Sequence, residues 1–312
     1  MPSTTQQRVF IAGADGFLGR VFTRRLAALR GYCVTHGTRR RFDLTRLADC
    51  RRAVRGMGLV VNAAGLVTSR RDQERRPADI LYVNTLIQMQ LLEACRREGV
   101  KRFVGVGSIT AYPASATSPL STDMLLRRAP GIDGRAGFYG VSKWLAPVTA
   151  SAYASQYGIR TRIAVFPNLY GPADKFDGSP PPLVPNFVAG LVAASRAHAP
   201  IFDAGLNPLT GVDLLYVDDA SDFLVRLIRR FGDEDFLLVN AGSGRSVSVK
   251  TVCATVARQT GFQGTITWRN RGGVGRRFLS NGLAARRYGW RPKVALENGI
   301  RRTVQWFLHQ RH

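Results

Sequence analysis

The stretch "RVFIAGADGFLGR", residues 8–20, decides the fold. A short apolar run, Val9 to Ala12, ends in glycines at 13, 16 and 19. An amphipathic segment then places Phe17, Leu18, Val21, Phe22, Leu26 and Leu29 at spacings that cover one face of a helix. Glycine lets the backbone turn tightly and approach a diphosphate, and the helix start supplies N–H groups and the positive end of its dipole. Three glycines alone are a frequent accident; the strand before them and the helix after them make a dinucleotide turn. Gly13, Asp15, Gly16, Phe17, Leu18 and Gly19 are therefore expected to line the cofactor.

Outward from this turn the same alternation repeats. "YCVTHG", "GLVVNAAG", "RFVGVGS" and "RTRIAVFP" are short apolar runs, separated by amphipathic segments at 44–55, 78–98 and 139–157. Strand–helix alternation of this kind implies an α/β fold, a doubly wound parallel sheet of Rossmann type covered on both faces. From Pro167 the texture changes to the Pro/Gly-rich "PNLYGPADKFDGSPPPLVPN". A helix at about 185–198, a strand in "VDLLYV", the helix "DDASDFLVRLIRRF" and helices near 247–260 and 295–309 follow, with strand-like "TITWRN" among them. The expected organisation is a dinucleotide domain from 1–168 and 211–239, interleaved with a smaller substrate-binding region from 169–210 and 240–312.

The second strand selects the cofactor. Sheets that bind NAD commonly end this strand with an acid for the ribose 2′-hydroxyl. Here "VTHGTRRRFDLT" has no acid before Asp43 and places Arg39 and Arg40 close by. Guanidinium pairs well with a phosphate through charge-assisted hydrogen bonds, so NADP(H) is expected. The alternative is that these arginines decorate a loop in an arginine-rich chain.

The formal net charge is +24 over 312 residues, carried almost wholly by arginine, with only five lysines. A basic chain can track nucleic acid through its phosphates. The charge is scattered in pairs and triples, however, without a basic tail, RNA-binding aromatic signature or zinc-finger spacing. No specific nucleic acid is expected as a partner. No apolar run reaches the roughly 20 residues of a membrane span, so no membrane is expected either. Four scattered cysteines lack metal-ligand spacing; a reducing cytoplasmic location fits, with no metal.

"GRAGFYGVSKWLAP", residues 134–147, sets Tyr139 and Lys143 four apart on one helix face. A lysine beside a tyrosine favours the phenolate and makes the hydroxyl a usable acid or base. Alone, the pair is equally a helical contact without chemistry.

Taken together, these motifs resemble the extended short-chain dehydrogenase/reductase family, the NAD-dependent epimerase/dehydratase group, and within it the GDP-L-fucose synthase-like nucleotide-sugar 4-ketoreductases and epimerases. The carriers run from about residue 8 to 308. Besides the glycine turn they are "FDL" at 42–44, "NAAG" at 62–65, "PADILYVNTLIQMQLLEACRREGVKRFVGVGS" at 77–108, "YGVSK" at 139–143, "FPNLYGPADKF" at 166–176 and "GWRPKVALENGIRRTVQWF" at 289–307. The resemblance implies that Tyr139 is the general acid or base and that Lys143 tunes it and holds the nicotinamide ribose. It implies that Ser108 bonds the substrate oxygen, against a plain strand-end cap, and that Thr110 lines the same pocket. Asp43 and Leu44 would flank the adenine, Ala63, Ala64 and Gly65 the phosphates and ribose, Pro167 and Leu169 the nicotinamide. Asn168, Leu183, Val184 and Arg276, or its neighbour Arg277, would meet the substrate. A homodimer is expected.

The departures narrow the chemistry. Fucose-synthase-type enzymes epimerise with a cysteine and a histidine; those places read Thr110 and, near "PPPL", Pro182. "SITAYP" lacks the Asp–Glu pair of sugar dehydratases and the glutamate of decarboxylases. Val212 and Asp213 stand where an arginine is expected before "LLYVDD". The expected activity is NADPH-dependent reduction of a 4-keto nucleotide sugar. Its alternatives are a nucleotide-sugar 4-epimerase and, in another class, a non-catalytic nucleotide-sensing or RNA-binding member.

Overall fold

The computed structural model describes residues 6–37, 41–67, 70–132, 137–176, 182–269 and 275–310. Arg39 and Arg40 lie outside the described residues. In chain order the elements are β1 (Gln7–Ala12), α1 (Phe17–Ala27), β2 (Tyr32–His36), α2 (Leu47–Val54), β3 (Leu59–Asn62), α3 (Arg70–Arg75), α4 (Pro77–Arg97), β4 (Arg102–Ser108), α5 (Thr122–Arg127), α6 (Gly137–Tyr157) and β5 (Arg160–Phe166). There follow β6 (Asn168–Tyr170), α7 (Leu183–Arg196), β7 (Ile201–Asp203), β8 (Gly211–Val212), β9 (Leu214–Tyr216), α8 (Val217–Arg229), β10 (Phe236–Asn240), β11 (Val247–Ser248), α9 (Val249–Thr260), β12 (Thr265–Thr267), α10 (Gly282–Tyr288) and α11 (Leu296–His309).

Six strands form one parallel sheet in the order β10-β5-β4-β3-β1-β2. Its strands read as unbroken apolar runs because both faces are covered, and alternate residues serve opposite cores. Val9 and Ile11 of β1 face one core with Leu18, Phe22 and Leu26 of α1 and Phe223 of α8. Phe10 and Ala12 face the other, with Ala53 and Val54 of α2 and Leu91 and Leu92 of α4. Filling each such position with Phe or Leu stabilises by about 1.5–3 kcal/mol. The chain reverses its winding between β1 and β3, so the crevice at the C-terminal strand ends, where such folds hold ligands, opens at the glycine turn.

The doubly wound sheet expected from the alternation is thus the observed fold. Its sixth strand, β10, was not read from "FLLVN", and α10 was not read either. "VDLLYV" is divided at Asp213: β8 pairs with β11 and β9 pairs with β6, in two separate ribbons. The buried Asp213 carboxylate fixes that break by accepting from Ser243 N, Ser243 Oγ and Leu279 N at 2.9, 2.6 and 3.0 Å. A further core gathers α7, α9 and α11 through Phe187, Val188, Val252, Val256 and Ile300. Ala284 and Tyr288 of α10, with Trp290, pack instead into the sheet core beside Phe223. No helix among the described residues is long and apolar enough to cross a membrane.

Candidate active site

Each glycine of the turn has a specific reason. Gly13 has φ +77°, and a Cβ there would meet the Ala64 backbone at 2.6 Å. A Cβ on Gly19 would overlap the carbonyl oxygen of Gly13. Gly16 caps α1 without any side-chain hydrogen bond, and its own N–H is taken by Gly13 O at 3.0 Å. The first amide groups of α1 are therefore left without a side-chain cap. Asp15, Phe17 and Leu18 occupy the same turn and helix start, although Leu18 is buried in the core rather than open to the crevice.

The segment after β3 closes against this turn. Ala63 N donates to Ala12 O at 3.0 Å and Ala64 N to the Asn62 side chain at 3.1 Å. Gly65 leaves room for two neighbours: a Cβ there would lie 2.9 Å from Asn84 Oδ1 and 3.4 Å from Lys143 Nζ. A cradle that any side chain would fill, at an uncapped helix start, fits a diphosphate. Asp43 turns its carboxylate back on Thr45, accepting from N at 3.0 Å and Oγ1 at 2.6 Å, while Leu44 packs under α2.

Tyr139 and Lys143 sit one turn apart near the start of α6, with the Lys143 ammonium 5.7 Å from the centre of the Tyr139 ring. Ser108, at the end of β4, neighbours the Tyr139 phenol and acts to lower its pKa. Ser108 Oγ also accepts from Thr110 N at 3.2 Å and Thr110 Oγ1 at 2.8 Å, so it caps the following turn as well. Burial pushes the Tyr139 phenol up to about 12, against the opposing effect of the neighbouring Ser108 hydroxyl. Burial also pulls the Lys143 ammonium down to about 8. The lowering expected from Lys143 is not seen in the protein alone: burial sets the phenol's pKa, and Ser108 is the group that opposes it. The phenol is held as a protonated donor.

Beside these, Pro167 is buried between β5 and β6, and Leu169 packs on the sheet core. Asn168 is exposed and donates its N–H and its side-chain amide to Asp213 O at 3.2 and 3.1 Å. Of the pair at the start of α7, Val184 is spent on the second core at 1% exposure, leaving the partly buried Leu183. Arg277 is committed to the carbonyls of Tyr112, Pro113 and Ala114 at 3.3, 3.1 and 3.4 Å. Arg276 is exposed, with its Cα 3.0 Å from where a Gly211 side chain would begin. The two arginines left open by sequence are therefore separated by their surroundings.

A buried polar ladder on α4 was missed. Asn84 accepts from Leu66 N at 2.8 Å and donates to Leu66 O and Ile80 O, and Gln88 accepts from Asn62 Nδ2 at 2.8 Å. Two amides four apart on an otherwise apolar helix face were the available signal. Their effect is to fix the backbone at 62–66 against Lys143.

A parallel sheet with its glycine turn beside a Ser–Tyr–Lys set defines an extended short-chain dehydrogenase/reductase. The profile of the NAD dependent epimerase/dehydratase family matches residues 9–242, and the chain belongs to that family. The GDP-L-fucose synthase of Sinorhizobium fredii (strain NBRC 101917 / NGR234) is 30% identical, over 97% of this chain and 96% of that protein. The crystal structure of a GDP-6-OMe-4-keto-L-xylo-heptose reductase from C. jejuni superimposes with a TM-score of 0.88 at 20% identity, covering 98% of this chain and 99% of that one. The GDP-mannoheptose C4 reductase from Campylobacter jejuni with NADP bound gives 0.85 at 22% identity, covering 97% and 99%.

Proposed function

We propose that this protein is an NADPH-dependent reductase of a 4-keto nucleotide sugar. The observation that carries the reading is Tyr139 with Lys143 one turn on and Ser108 beside the phenol, next to the glycine cradle. The 30% identical relative is a GDP-L-fucose synthase, and a similar structure holds NADP, which supports both substrate class and cofactor. Arg39 and Arg40, from the sequence, are assigned to the 2′-phosphate.

Gly13, Gly16 and Gly19 with the start of α1 would hold the diphosphate, Ala63 to Gly65 the adjoining ribose, and Lys143 the nicotinamide ribose. When bound, the dinucleotide supplies the hydride. Ser108 and Tyr139 donate hydrogen bonds to the ketone oxygen, and Tyr139 gives up its proton as the carbonyl becomes an alcohol. Lys143, positioned by Gly65 and Asn84, offsets the negative charge left on the phenol. Arg276 is assigned to the substrate's phosphates, Asn168 and Leu183 to its approach.

Thr110 and Pro182 lack the groups needed to move protons at C3 and C5, which favours reduction without epimerisation. The test is NADPH consumption across a panel of 4-keto nucleotide sugars in deuterated water. Turnover with C3 and C5 unlabelled is expected; deuterium at either carbon would refute the assignment.

A homodimer is part of this reading. Tyr82, Met89 and Val148, exposed by 65%, 44% and 37% on adjoining α4 and α6, form the face assigned to it. The division at 1–168 with 211–239 is retained as a proposal, with α10 assigned to the sheet side. Cys50, Cys95 and Cys253 are buried free thiols, consistent with a reducing cytoplasm.

A further inference from the structure

The segment 171–176, "GPADKF", spans the crevice between two anchors. Gly171 lies against Phe17, the first residue of α1: a Cβ on it would be 3.6 Å from that ring and 2.8 Å from Val217. Arg20, still near the start of α1, donates to Ala173 O at 2.5 Å. On the far side Lys175 Nζ donates to Val67 O at 2.7 Å, two residues beyond Gly65. Gly13, four residues before Phe17, meets Ala64, three residues before Val67, so the segment ties the phosphate turn to the loop after β3.

The strap is held in a costly shape. Ala173 has φ +61°, a region that residues with a Cβ rarely adopt. Strain of this kind persists where the surroundings impose it and gathers at ligand clamps. Asp174, next along, accepts from Lys175 N through Oδ1 at 2.8 Å. Its other oxygen, Oδ2, is shielded from water and has no partner among the described residues. A shielded, unpaired carboxylate is unfavourable when ionised, whereas its acid form carries an O–H donor.

We propose that the 171–176 strap closes over the dinucleotide's diphosphate, and that Asp174 is the positioning residue that tightens it, doing so as the neutral acid. The proposal rests on the dinucleotide reading above. An ionised Asp174 would repel the phosphates and seek water; the neutral acid donates to a phosphate oxygen instead. The charged groups facing it are Arg20 from α1 and Lys175 on the strap itself, and burial outweighs both, raising its carboxyl to about 7. Closing the strap over an anion then requires proton uptake near neutrality.

The test is calorimetric titration of the full-length protein with NADP+ at pH 7 in two buffers of different ionisation heat. Uptake of about half a proton per site is expected for a group half ionised there. Between pH 6.5 and 8.5 the Kd of the wild type should rise about 25-fold more than that of Asp174→Asn, which keeps the Oδ1 acceptor and cannot ionise. Lys175→Met should weaken binding at both pH values while leaving the slope intact. No proton uptake by the wild type, or parallel slopes in wild type and Asp174→Asn, would overturn the strap and leave the dinucleotide reading standing. Wild type that binds no dinucleotide at either pH would overturn both.

Discussion

Gly13→Ala tests the phosphate turn through two separable costs. Alanine at φ +77° enters the left-handed region, which disfavours a residue with a Cβ by roughly 1–2 kcal/mol. Its new methyl also meets the Ala64 backbone at 2.6 Å, about 1 Å inside ordinary carbon contact. Backbone cannot rotate away as a flexible side chain can, so relief requires the β1 turn and the loop after β3 to part, at a further cost of about 1–3 kcal/mol. The sum, about 2–5 kcal/mol, predicts a melting temperature lower by roughly 4–20 °C. Parting the two loops also widens the cradle, so NADPH affinity should fall at least about thirtyfold, or about 2 kcal/mol. Thermal melting and NADPH fluorescence titration measure the two effects. A variant that melts within a degree of wild type and binds NADPH unchanged would refute the cradle.

Four further outcomes are expected. Because burial lowers Lys143 to about 8, its cation is lost as pH rises through that value, and kcat/KM for NADPH should show an alkaline limb there that Lys143→Met lacks. The linkage runs the other way for stability: the folded pKa lies below the unfolded 10.5, so the penalty is full below about 8 and stability rises with pH from there to about 10.5, as denaturant titrations across that window should show. Arg276→Ala should raise KM for the nucleotide sugar about tenfold without altering the melting temperature, whereas Arg277→Ala should lower the melting temperature because three hydrogen bonds to backbone carbonyls are lost.

The sheet was legible because its strands alternate between two cores and its first turn carries glycine where a Cβ cannot fit. "FLLVN" was harder to read because it follows a polar turn, and pairing with β5, not pattern, makes it a strand. "VDLLYV" looked like one strand because sequence does not show that Asp213 folds its carboxylate inward to three donors. Arg162 illustrates the same limit: among 40 arginines it looks solvated, yet it is fully buried in β5 and donates to Phe231 O and Glu234 O. At the site, spacing brought Tyr139 and Lys143 together correctly. It could not show that burial, rather than the lysine, dominates the phenol, nor that Asn84 fixes the backbone beside Lys143. Arg276 and Arg277 are adjacent in sequence and were separable only once Arg277 was seen to clasp the 112–114 carbonyls.

In the proposed reaction Tyr139 delivers the proton that accompanies reduction. Tyr139→Phe keeps the ring and its packing while deleting the phenol hydroxyl beside Ser108. The direct measurement is single-turnover NADPH oxidation by wild type and Tyr139→Phe, each saturated with a 4-keto nucleotide sugar, alongside NADPH titration of both. A loss of about 10² to 10⁴ in the single-turnover rate with nearly unchanged NADPH affinity is expected. A Tyr139→Phe protein that oxidises NADPH at the wild-type rate would contradict it.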